Sequence, residues 1–436
     1  MEVQNNTNER RDFIKKAGKG LIAATLIGGI ELGETANAQP SGAVKQDAID
    51  ETVPVKFTPI KDSSEKKEGS VPSPMRPSKR IGYAFVGLGR LTLNQLLPAI
   101  AKCNYSKAVA LVSGDGEKAK KVALQYGIDA KNIYNYANFD EIKNNPEVDV
   151  VYIVLPNGMH EEFTLRTAKA GKHVLCEKPL SVSSASAQKM VDACHKANVK
   201  LMTAYRIQYE PHNTLVKEWT RSEKKGKVKI IETFNAQNTA DPTHWRHVKA
   251  LSGGGALPDI GLYNLNTTRF ILGEEPDSVL ASMYSTPGDP RFKEVEESVL
   301  FQLFFPSGVV SSHVTSYGVH ESRHYKCHTN KGATIGLKNA FAYNGQQLEL
   351  SEVKDEMEYK SNPTFGAEKD QFTLVMDHMS DCVLNNKTPY TPGEEGVQDH
   401  KIMEAIYESA KTGKRVKLKR VEGTDVFRGD APKKAE

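Results

Sequence analysis

The fold of this chain is decided by the stretch Ile81-Gly82-Tyr83-Ala84-Phe85-Val86-Gly87-Leu88-Gly89. Its first six residues are mostly apolar and predict a buried β-strand, and apolar spacing over residues 93–101 predicts a helix after it. Two glycines between a strand and a helix allow a tight turn and a close approach of the backbone to a pyrophosphate. The stretch therefore indicates the start of a dinucleotide-binding fold, although Thr92 stands where a third glycine is usual.

Downstream of these glycines, strand-like and helix-like segments alternate as far as residue 206. The predicted strands are residues 81–86, 108–112, 148–155, 173–176 and 200–204. The predicted helices are residues 93–101, 117–126, 160–170 and 185–197. Regular alternation of this kind predicts an α/β domain with a doubly wound parallel sheet, a Rossmann domain, over residues 81–206.

The pattern changes beyond Pro211, where long β-rich runs follow one another. These runs are residues 227–236, 278–284, 298–305, 308–317 and 325–337. Helical spacing returns at residues 371–384 and 395–410. Together they predict an α+β C-terminal domain over residues 207–420 with a large open, mostly antiparallel sheet, followed by a polar tail over residues 421–436.

The N-terminal residues carry the pattern of an export signal. A twin-arginine motif, Arg10-Arg11-Asp12-Phe13-Ile14-Lys15, precedes an apolar run at residues 21–30. That run is shorter than the ~20 residues that span a bilayer, and Ala36-Asn37-Ala38 offers a cleavage site. We predict a signal peptide over residues 1–38, export by the Tat machinery and a periplasmic location. The alternative is a chance Arg-Arg pair ahead of an N-terminal helix.

A second N-terminal segment, residues 39–80, separates the predicted signal from the first strand. It is rich in Pro, Lys, Glu and Ser and has no sustained apolar period. Such a segment cannot build a core of its own, so we predict an arm or linker.

The composition of the chain excludes several classes of protein. Its 436 residues are 39% hydrophobic and 26% charged, which is enough for two domains with buried cores. A net charge of +4 is too small to indicate nucleic-acid binding, and no apolar segment is long enough for stable membrane insertion. The five cysteines are scattered without a C-x-x-C pair, so we predict neither a metal site nor a disulfide framework.

The choice of cofactor is predicted at the end of the second strand, where an NAD enzyme places an acid for the ribose 2′-OH. This chain has Ser113 there, Lys118 one helical turn later, and Arg90 beside the glycines. A hydroxyl and two cations suit the 2′-phosphate of NADP. Asp115 is the counter-argument because its carboxylate would suit NAD, and Lys118 is equally compatible with a solvated helix position.

Two further motifs carry residues suited to proton transfer. Glu177-Lys178-Pro179 ends a strand at the ligand edge of the predicted sheet, where a lysine favours ionisation of a nearby hydroxyl. Residues 253–264 form a glycine-rich helix entrance that places Asp259 and Tyr263 on one helix face. We predict that Lys178 activates the Tyr263 phenol and that Asp259 binds substrate hydroxyls. The alternatives are a common surface turn and a surface helix with a half-buried tyrosine.

These motifs together resemble the Gfo/Idh/MocA oxidoreductases along the whole chain. The resemblance is carried by Gly87-Leu88-Gly89, Leu111-Val112-Ser113-Gly114, Leu155-Pro156-Asn157, Glu177-Lys178-Pro179 and residues 253–264. Many members have His where Tyr263 stands, and Tyr is typical of sugar oxidoreductases of the glucose–fructose type. The departures from the family pattern are Thr92 and the composition of residues 318–323, which leave the substrate pair open.

The resemblance implies a role for individual residues. Lys178, Asp259 and Tyr263 would form the catalytic set. The cofactor-binding set would comprise Gly87, Leu88, Gly89, Arg90, Leu91, Ser113, Lys118, Tyr136, Leu155, Pro156, Asn157, His160, Glu177, Lys178, Arg206, Trp245, Arg246 and Tyr343. Within this set, Tyr136 would lie against the adenosine, His160 along the ribose and nicotinamide, and Trp245-Arg246 over the cofactor.

The resemblance also implies a reaction. An exported enzyme meets no pool of free nicotinamide, so we expect tightly bound NADP that is regenerated on the same protein. A glucose-like aldose would be oxidised to its lactone and the hydride passed to a fructose-like sugar in a ping-pong mechanism. The alternatives are an NAD(P)-dependent sugar dehydrogenase, an aldose–aldose oxidoreductase, and a sugar-binding protein without turnover. Members of this type lay the arm across a neighbouring subunit, which predicts a homo-oligomer, a tetramer, stabilised by residues 39–80.

Overall fold

The strand Ile81–Val86, β1, is buried at every position because it lies inside a six-stranded parallel sheet. The structure is a computed structural model that describes residues 80–365 and 370–432, so the predictions for residues 1–79 lie outside it. The other strands are β2 (Ser106–Val112), β3 (Ile133–Tyr134), β4 (Val150–Ile153), β5 (His173–Cys176) and β6 (Leu201–Thr203). Their order is β3-β2-β1-β4-β5-β6, with every neighbouring pair parallel, which confirms the predicted doubly wound sheet.

Helices connect these strands and bury both faces of the sheet. They are α1 (Leu97–Ile100), α2 (Gly116–Tyr126), α3 (His160–Lys169) and α4 (Ser184–Lys196). Alternate residues of β1 enter two apolar clusters: Tyr83 and Phe85 lie in one, and Ala84 and Val86 in the other. This two-sided burial explains why β1 has no polar position, as parallel sheets require.

The predicted helix at residues 93–101 begins with a wider turn than expected. Thr92–Leu96 form a π-helical turn, and α1 follows it directly. The buried Thr92 hydroxyl donates a hydrogen bond of 2.6 Å to the carbonyl oxygen of Gly87. A β-branched residue at the third-glycine position is thus accompanied by a π-helical turn and a hydrogen bond of its own.

The rest of the chain builds a second, nine-stranded sheet. Its strands are β7 (Val228–Asn238), β8 (Ser278–Tyr284), β9 (Ser298–Phe304), β10 (Val310–Ser316), β11 (Gly318–Thr329), β12 (Thr334–Lys338), β13 (Gln347–Lys354), β14 (Met357–Ser361) and β15 (Val416–Lys417). The order is β14-β13-β12-β11-β7-β10-β9-β8-β15. Among these strands only β7 and β10 pair in parallel, so the predicted mostly antiparallel sheet is confirmed.

The helices of the second half of the chain are α5 (Pro211–Arg221), α6 (Lys249–Ser252), α7 (Leu262–Leu272), α8 (Gln371–Leu384) and α9 (Gly393–Thr412), of which α8 packs against β1 and β2 of the first sheet. Within the described ranges, none of the helices is long and apolar enough to cross a membrane.

The β-rich run predicted at residues 325–337 contains a reversal of the chain. Its first part belongs to β11 and its last part to β12, and Tyr325 pairs with Leu337 across the antiparallel ladder. The turn between them is closed by a hydrogen bond of 2.9 Å from the Thr329 amide to the Ala333 carbonyl. The run was predicted as one β-rich segment because the turn Asn330-Lys331-Gly332 is only three residues long and lies between two strands.

The predicted polar tail, residues 421–436, is folded onto the body as far as residue 432. The Arg428 side chain is buried and donates to Glu395 (3.0 Å) and Gln208 (3.1 Å). Asp425 forms an ion pair of 2.5 Å with Arg221. The described part of the predicted polar tail thus packs on the body through charges that meet opposite charges on the second domain.

The two sheets share one apolar cluster, to which Phe85 of β1 and Phe301 of β9 both belong. Helix α8 also joins them, since the Tyr83 hydroxyl in β1 donates to the Met376 carbonyl at 2.8 Å. This packing places the second domain beside the carboxyl ends of the parallel strands.

Candidate active site

A cavity of about 1040 Å³ opens at the carboxyl ends of the parallel strands, where open α/β sheets bind their ligands. The glycine turn after β1 forms one wall. Gly87 has a φ of +95°, and a Cβ atom there would lie 2.3 Å from the Val154 carbonyl oxygen, so the position requires glycine. A Cβ atom at Gly89 would meet nothing within 4 Å, which leaves open space beside the backbone for a pyrophosphate. The turn fits a dinucleotide.

The end of β2 presents a hydroxyl, a carboxylate and an ammonium group to the same cavity. The Ser113 hydroxyl accepts the Asp115 amide at 3.0 Å. The Asp115 carboxylate accepts the Lys118 amide at 2.9 Å and lies 3.8 Å from the Lys118 ammonium. The backbone hydrogen bond from Lys118, together with its charge, lowers the pKa of Asp115. Asp115 therefore serves as the N-cap of α2, and the positive charge of Lys118 partly compensates its negative charge.

The loop Leu155-Pro156-Asn157 closes the cavity against the second domain, since the Asn157 amide donates to the Ser252 carbonyl at 2.8 Å. His160, predicted to lie along the cofactor, does not line the cavity. Its ring is fully buried, with Nδ1 3.0 Å from the Pro179 carbonyl oxygen and Nε2 2.9 Å from that of Leu155. The structure therefore corrects this prediction: His160 lies behind the wall and braces the two loops that line it.

Lys178 and Asp259 meet across the domain boundary. The Lys178 ammonium donates to the Asp259 carboxylate at 2.9 Å and to its main-chain carbonyl at 2.7 Å. The other carboxylate oxygen accepts the Arg246 Nε–H at 2.8 Å and the Tyr317 hydroxyl at 2.7 Å. Both oxygens of Asp259 thus have protein donors, so its observed task is to anchor Lys178 and Arg246. The predicted binding of substrate hydroxyls by Asp259 stays a prediction.

The mutual pairing of these groups keeps them ionised. Burial opposes ionisation of Asp259, but the Arg246 and Lys178 charges outweigh it and hold the pKa of Asp259 far below its usual value. Burial likewise opposes the charge on Lys178, and the Asp259 carboxylate keeps the pKa of Lys178 above its usual value. Glu177 differs from both: burial raises its pKa, and it accepts the Tyr152 hydroxyl at 2.7 Å.

Tyr263 lies between two cations at the domain boundary. The Lys178 ammonium contacts the face of its ring, 4.5 Å from the centroid. The Arg206 Nε–H donates to its hydroxyl oxygen at 3.1 Å. Arg206 was predicted to reach the nucleotide, and it does line the cavity, yet its hydrogen bonds go to Tyr263 and to neighbouring carbonyl and amide oxygens. A phenol flanked in this way is suited to take up and return a proton.

The cavity collects almost all of the residues proposed from the sequence. Trp245 and Arg246 lie together at its edge, with the guanidinium 4.6 Å from the centre of the indole ring. Tyr343 packs against Arg206 at 4.8 Å. The predicted residues that line the cavity are Gly87, Leu88, Gly89, Arg90, Leu91, Ser113, Lys118, Tyr136, Leu155, Pro156, Asn157, Glu177, Lys178, Arg206, Trp245, Arg246, Asp259, Tyr263 and Tyr343.

Several polar residues at the site were missed by the sequence analysis, among them Asp241, His244 and Arg323 of the cavity wall and Tyr317 beside Asp259. Asn235 and Gln237 of β7 both line the cavity. The Asn235 side-chain oxygen is buried and has no hydrogen-bond partner among the described residues. Their spacing of two places both side chains on the sheet face that also carries the buried Ile231 and Thr233, which was a usable signal. Tyr317 had no such signal, because its partner Asp259 is distant in the sequence.

Among the described residues, no group of three or more His, Cys, Asp or Glu side chains could hold a metal ion. All five cysteines are buried and free. The polar groups at the cavity include ammonium, guanidinium, phenol and amide groups, which bind phosphates and sugar hydroxyls by hydrogen bonds.

The fold and the site together define a dinucleotide-binding class of protein in which a lysine contacts a tyrosine ring at the cavity. Residues 81–205 match the oxidoreductase family with an NAD-binding Rossmann fold, and residues 217–418 match the C-terminal α/β domain of the same family. The chain belongs to this family, the Gfo/Idh/MocA oxidoreductases.

Three sugar-converting enzymes, by their names, are similar to this chain. An aldose–aldose oxidoreductase from Caulobacter crescentus, solved with glycerol, is 39% identical; the match covers 78% of this chain and all of that one, with a TM-score of 0.75. A D-xylose 1-dehydrogenase [NADP(+)] from Haloarcula marismortui is 29% identical over 78% of this chain and 93% of that protein. A 1,5-anhydro-D-fructose reductase from Ensifer adhaerens is 25% identical over 77% and 98%.

Proposed function

We propose that this protein is a periplasmic sugar oxidoreductase that retains NADP through turnover. It oxidises a glucose-like aldose to the lactone and returns the hydride to a second sugar carbonyl, fructose-like, in a ping-pong sequence. The observation that carries this proposal is the Tyr263 phenol at the cavity, with Lys178 on its ring face and Arg206 on its oxygen.

The residues that would hold the nucleotide follow from the cavity wall. The glycine turn would bind the pyrophosphate, and Ser113 and Lys118 would bind the 2′-phosphate. Trp245 and Arg246 would cover the cofactor from the second domain. When bound, the nicotinamide accepts a hydride from one substrate and supplies it to another.

The proton path belongs to the protein. In the oxidative half, Tyr263 accepts the proton of the sugar hydroxyl, and Lys178 favours that transfer by its charge. In the reductive half, the same phenol returns a proton to the carbonyl oxygen of the second sugar. Asp259 holds Lys178 in place for both steps.

The names of the relatives support a sugar substrate and NADP, and one of them favours a second candidate. The Caulobacter protein is named for two aldoses, which supports a second candidate reaction with an aldose in place of the ketose as hydride acceptor. An NADP-dependent dehydrogenase that releases its cofactor is the other form of the reaction, as in the name of the Haloarcula protein. The choice among these rests on the second substrate and on cofactor exchange.

Cofactor content and products of the purified protein test the proposal. We expect the purified protein to contain stoichiometric NADP although none is added. The absorbance of reduced nicotinamide should appear or disappear when single sugars are added. Glucose plus fructose should give sorbitol. Sorbitol replaced by a reduced aldose would establish the aldose–aldose reaction. Nucleotide-free protein that turns over only with added NAD(P) would establish a dehydrogenase. Bound nucleotide that no sugar reduces would favour a sugar-binding protein without turnover and overturn the proposal.

The periplasmic location is proposed from the twin-arginine motif alone, which lies outside the described residues. The protein with its own N-terminus should appear in the periplasmic fraction. The double substitution R10K/R11K should keep it in the cytoplasm, because the Tat machinery reads the arginine pair. Equal distribution of the two forms would remove the basis for export.

A homo-oligomer, a tetramer, is the proposed assembly, and the outer face of the nine-stranded sheet supports it. Ile230 of β7, Leu300 of β9, and Leu280 and Tyr284 of β8 are exposed on that face. Their strand neighbours Val279 and Phe301 point into the core. Exposed apolar surface of this extent is typical of protein contacts.

Two variants test the assembly by light scattering. Leu300→Lys should reduce the oligomeric mass through the sheet face. Deletion of residues 39–79 should do so through the arm and should also increase loss of nucleotide on dilution. An arm-less protein that stays assembled and keeps its nucleotide would make this segment a spacer.

A further inference from the structure

Arg206 is a buried cation whose partners are neutral. It lies in a short 3₁₀ turn after β6, and the residue is only 5% exposed. Besides the Tyr263 hydroxyl, its guanidinium donates to the carbonyl oxygens of Phe341 (2.7 Å) and Ala342 (3.1 Å) and to the side-chain oxygen of Gln371 (2.6 Å). Within the described ranges, no carboxylate lies at ion-pair distance from it. Its positive charge therefore has no directly paired carboxylate among those residues, and Glu177 acts on it only at longer range.

Lys178 differs from Arg206 in both respects. Its charge is shared with the Asp259 carboxylate at 2.9 Å, and its contact with Tyr263 is to the ring face. Arg206 reaches the reacting oxygen itself, at 3.1 Å, and packs over the Tyr263 and Tyr343 rings, each 4.8 Å away. The charge directly on the phenol oxygen thus comes from Arg206.

The direction of this hydrogen bond also orients the phenol. An arginine Nε–H can only donate, so the Tyr263 oxygen accepts from it in both the neutral and the ionised state. The phenol O–H is left free to point to the cavity, where a substrate oxygen would bind. When the proton leaves, the phenolate supplies the directly paired counter-charge that Arg206 lacks, and the hydrogen bond becomes charge-assisted.

We propose that Arg206 is a catalytic residue that holds the Tyr263 oxygen and stabilises its phenolate during proton transfer in both half-reactions. The role in sugar turnover rests on the proposed function. In the oxidative half, the sugar O–H bond breaks and its proton goes to the oxygen of ionised Tyr263, which becomes the neutral phenol. The C1–H bond breaks, its electron pair leaves as hydride to the bound nicotinamide, and the C=O bond of the lactone forms. The reductive half reverses each transfer.

Other groups near Tyr263 titrate or carry charge and must be held constant in the test. They are Glu177, Lys178, Arg246, Asp259 and Tyr343. The variants are therefore confined to Arg206 and to Gln371, which binds Arg206 and the Tyr343 carbonyl but carries no charge.

The experiment compares Arg206→Met, Arg206→Lys and the control Gln371→Leu in the holoenzyme. Arg206→Met should lower kcat on the order of 100-fold at neutral pH and move the pH–rate profile to higher pH by about one unit. Arg206→Lys should recover part of the loss because it keeps the charge. Gln371→Leu disturbs the same contacts and should lower thermal stability without moving the profile. A profile that moves equally in Gln371→Leu, or that stays fixed in Arg206→Met, would overturn the proposal.

A second readout needs no sugar. The ultraviolet tyrosinate signal of Tyr263 is isolated as the difference between each protein and its Tyr263→Phe counterpart. In Arg206→Met this signal should appear at higher pH than in the parent. Should Arg206→Met fail to fold, Arg206→Lys against the parent gives the same comparison with a smaller shift. If no sugar reacts, the proposed function fails, while an unshifted tyrosinate signal defeats the role of Arg206 separately.

Discussion

At the scale of single residues, the site depends on how its charged and phenolic groups are paired. Asp259 binds Lys178, Arg246 and Tyr317. Attraction and hydrogen bonds within this cluster offset part of the free energy that desolvation of its buried charges costs. Tyr263 lies outside that pairing and keeps its oxygen for Arg206 and for a substrate. The structural cluster and the reacting group are adjacent but distinct.

Removal of the Tyr263 hydroxyl should separate proton transfer from the structural role of the cluster around Asp259. Tyr263→Phe should keep the fold and the nucleotide, because the ring still packs against Phe341 at 5.9 Å. Both half-reactions should slow by a factor on the order of 10²–10⁴, which is typical for loss of a general acid–base. Single-turnover reduction and reoxidation of the bound nicotinamide measure the two halves. Tyr343→Phe removes another phenol of the same cavity and is the control; equal losses in both variants would mean that the proton takes another path.

Cofactor choice is a second question at this scale. Lys118→Ala should weaken binding of NADP(H) roughly tenfold, the contribution of one charge-assisted hydrogen bond, and should leave NAD(H) binding unchanged. Lys121→Ala, on the exposed side of the same helix, is the matched control. Fluorescence titration of nucleotide-stripped protein gives both constants. An equal loss for the two nucleotides would show that Lys118 does not contact the 2′-phosphate.

At the scale of elements, the helix entrance at residues 253–261 sets the position of Asp259. Glu296 is buried beside it and accepts the amides of Gly255 (2.8 Å) and Leu257 (3.0 Å) and the Tyr407 hydroxyl (3.0 Å). Burial raises the pKa of Glu296, and the two amide hydrogen bonds oppose that rise. A side chain from a neighbouring strand connection thus does the work of a helix cap.

Glu296→Ala should therefore damage stability and activity together. It leaves two buried amides and a hydroxyl without an acceptor, which should lower the free energy of unfolding by roughly 1–3 kcal/mol. Activity should fall because Asp259 and Tyr263 are carried by this segment. Denaturant unfolding and turnover measure the two effects. The control is Glu294→Ala, two residues before Glu296, which removes an exposed acceptor of the Lys249 amide. It should lower stability and activity much less. A comparable loss in this variant would contradict the role of Glu296 in positioning Asp259.

At the scale of the whole molecule, the interior holds histidines that the fold keeps neutral. Burial lowers the pKa of His378 from 6.5 to about 4. Its Nε2 accepts the Tyr390 amide at 2.9 Å, which requires the unprotonated nitrogen. Burial acts in the same direction on His313, with a pKa of about 3, and on His400, with a pKa of about 4. Acidification must therefore act against the folded state at these positions.

The sign and window of this effect follow from proton linkage. The unfolded chain protonates His378 below pH 6.5 and the folded chain only below about 4, so the unfolded state binds more protons between these values. The contribution of His378 to stability is fully present above pH 6.5 and is lost towards pH 4, in total roughly 3 kcal/mol. Denaturant unfolding at several pH values should show a shallower acid dependence in His378→Gln. His320→Gln, at an exposed position, should retain the wild-type dependence; identical slopes in all three proteins would contradict the linkage.

The sequence by itself determined what local patterns encode. Period-two and helical spacing identified both sheets, because core-facing positions repeat at fixed intervals within one element. The turn at Gly87 was visible because a positive φ and a close approach demand glycine. Asp259 and Tyr263, predicted to share a helix face from their spacing of four, both line the cavity, Asp259 from a π-helical turn and Tyr263 from α7.

The tertiary structure alone decided the contacts between elements. Arg206 meets Tyr263, Tyr317 meets Asp259, and Arg428 enters the interior to reach Glu395. His160, close in sequence to the cofactor loop, lies behind it. Each of these partners comes from a separate strand, helix or loop, and no periodicity within one segment records which side chain another segment will bring to it. The positive charge beside the Tyr263 oxygen therefore depends on how the two domains pack.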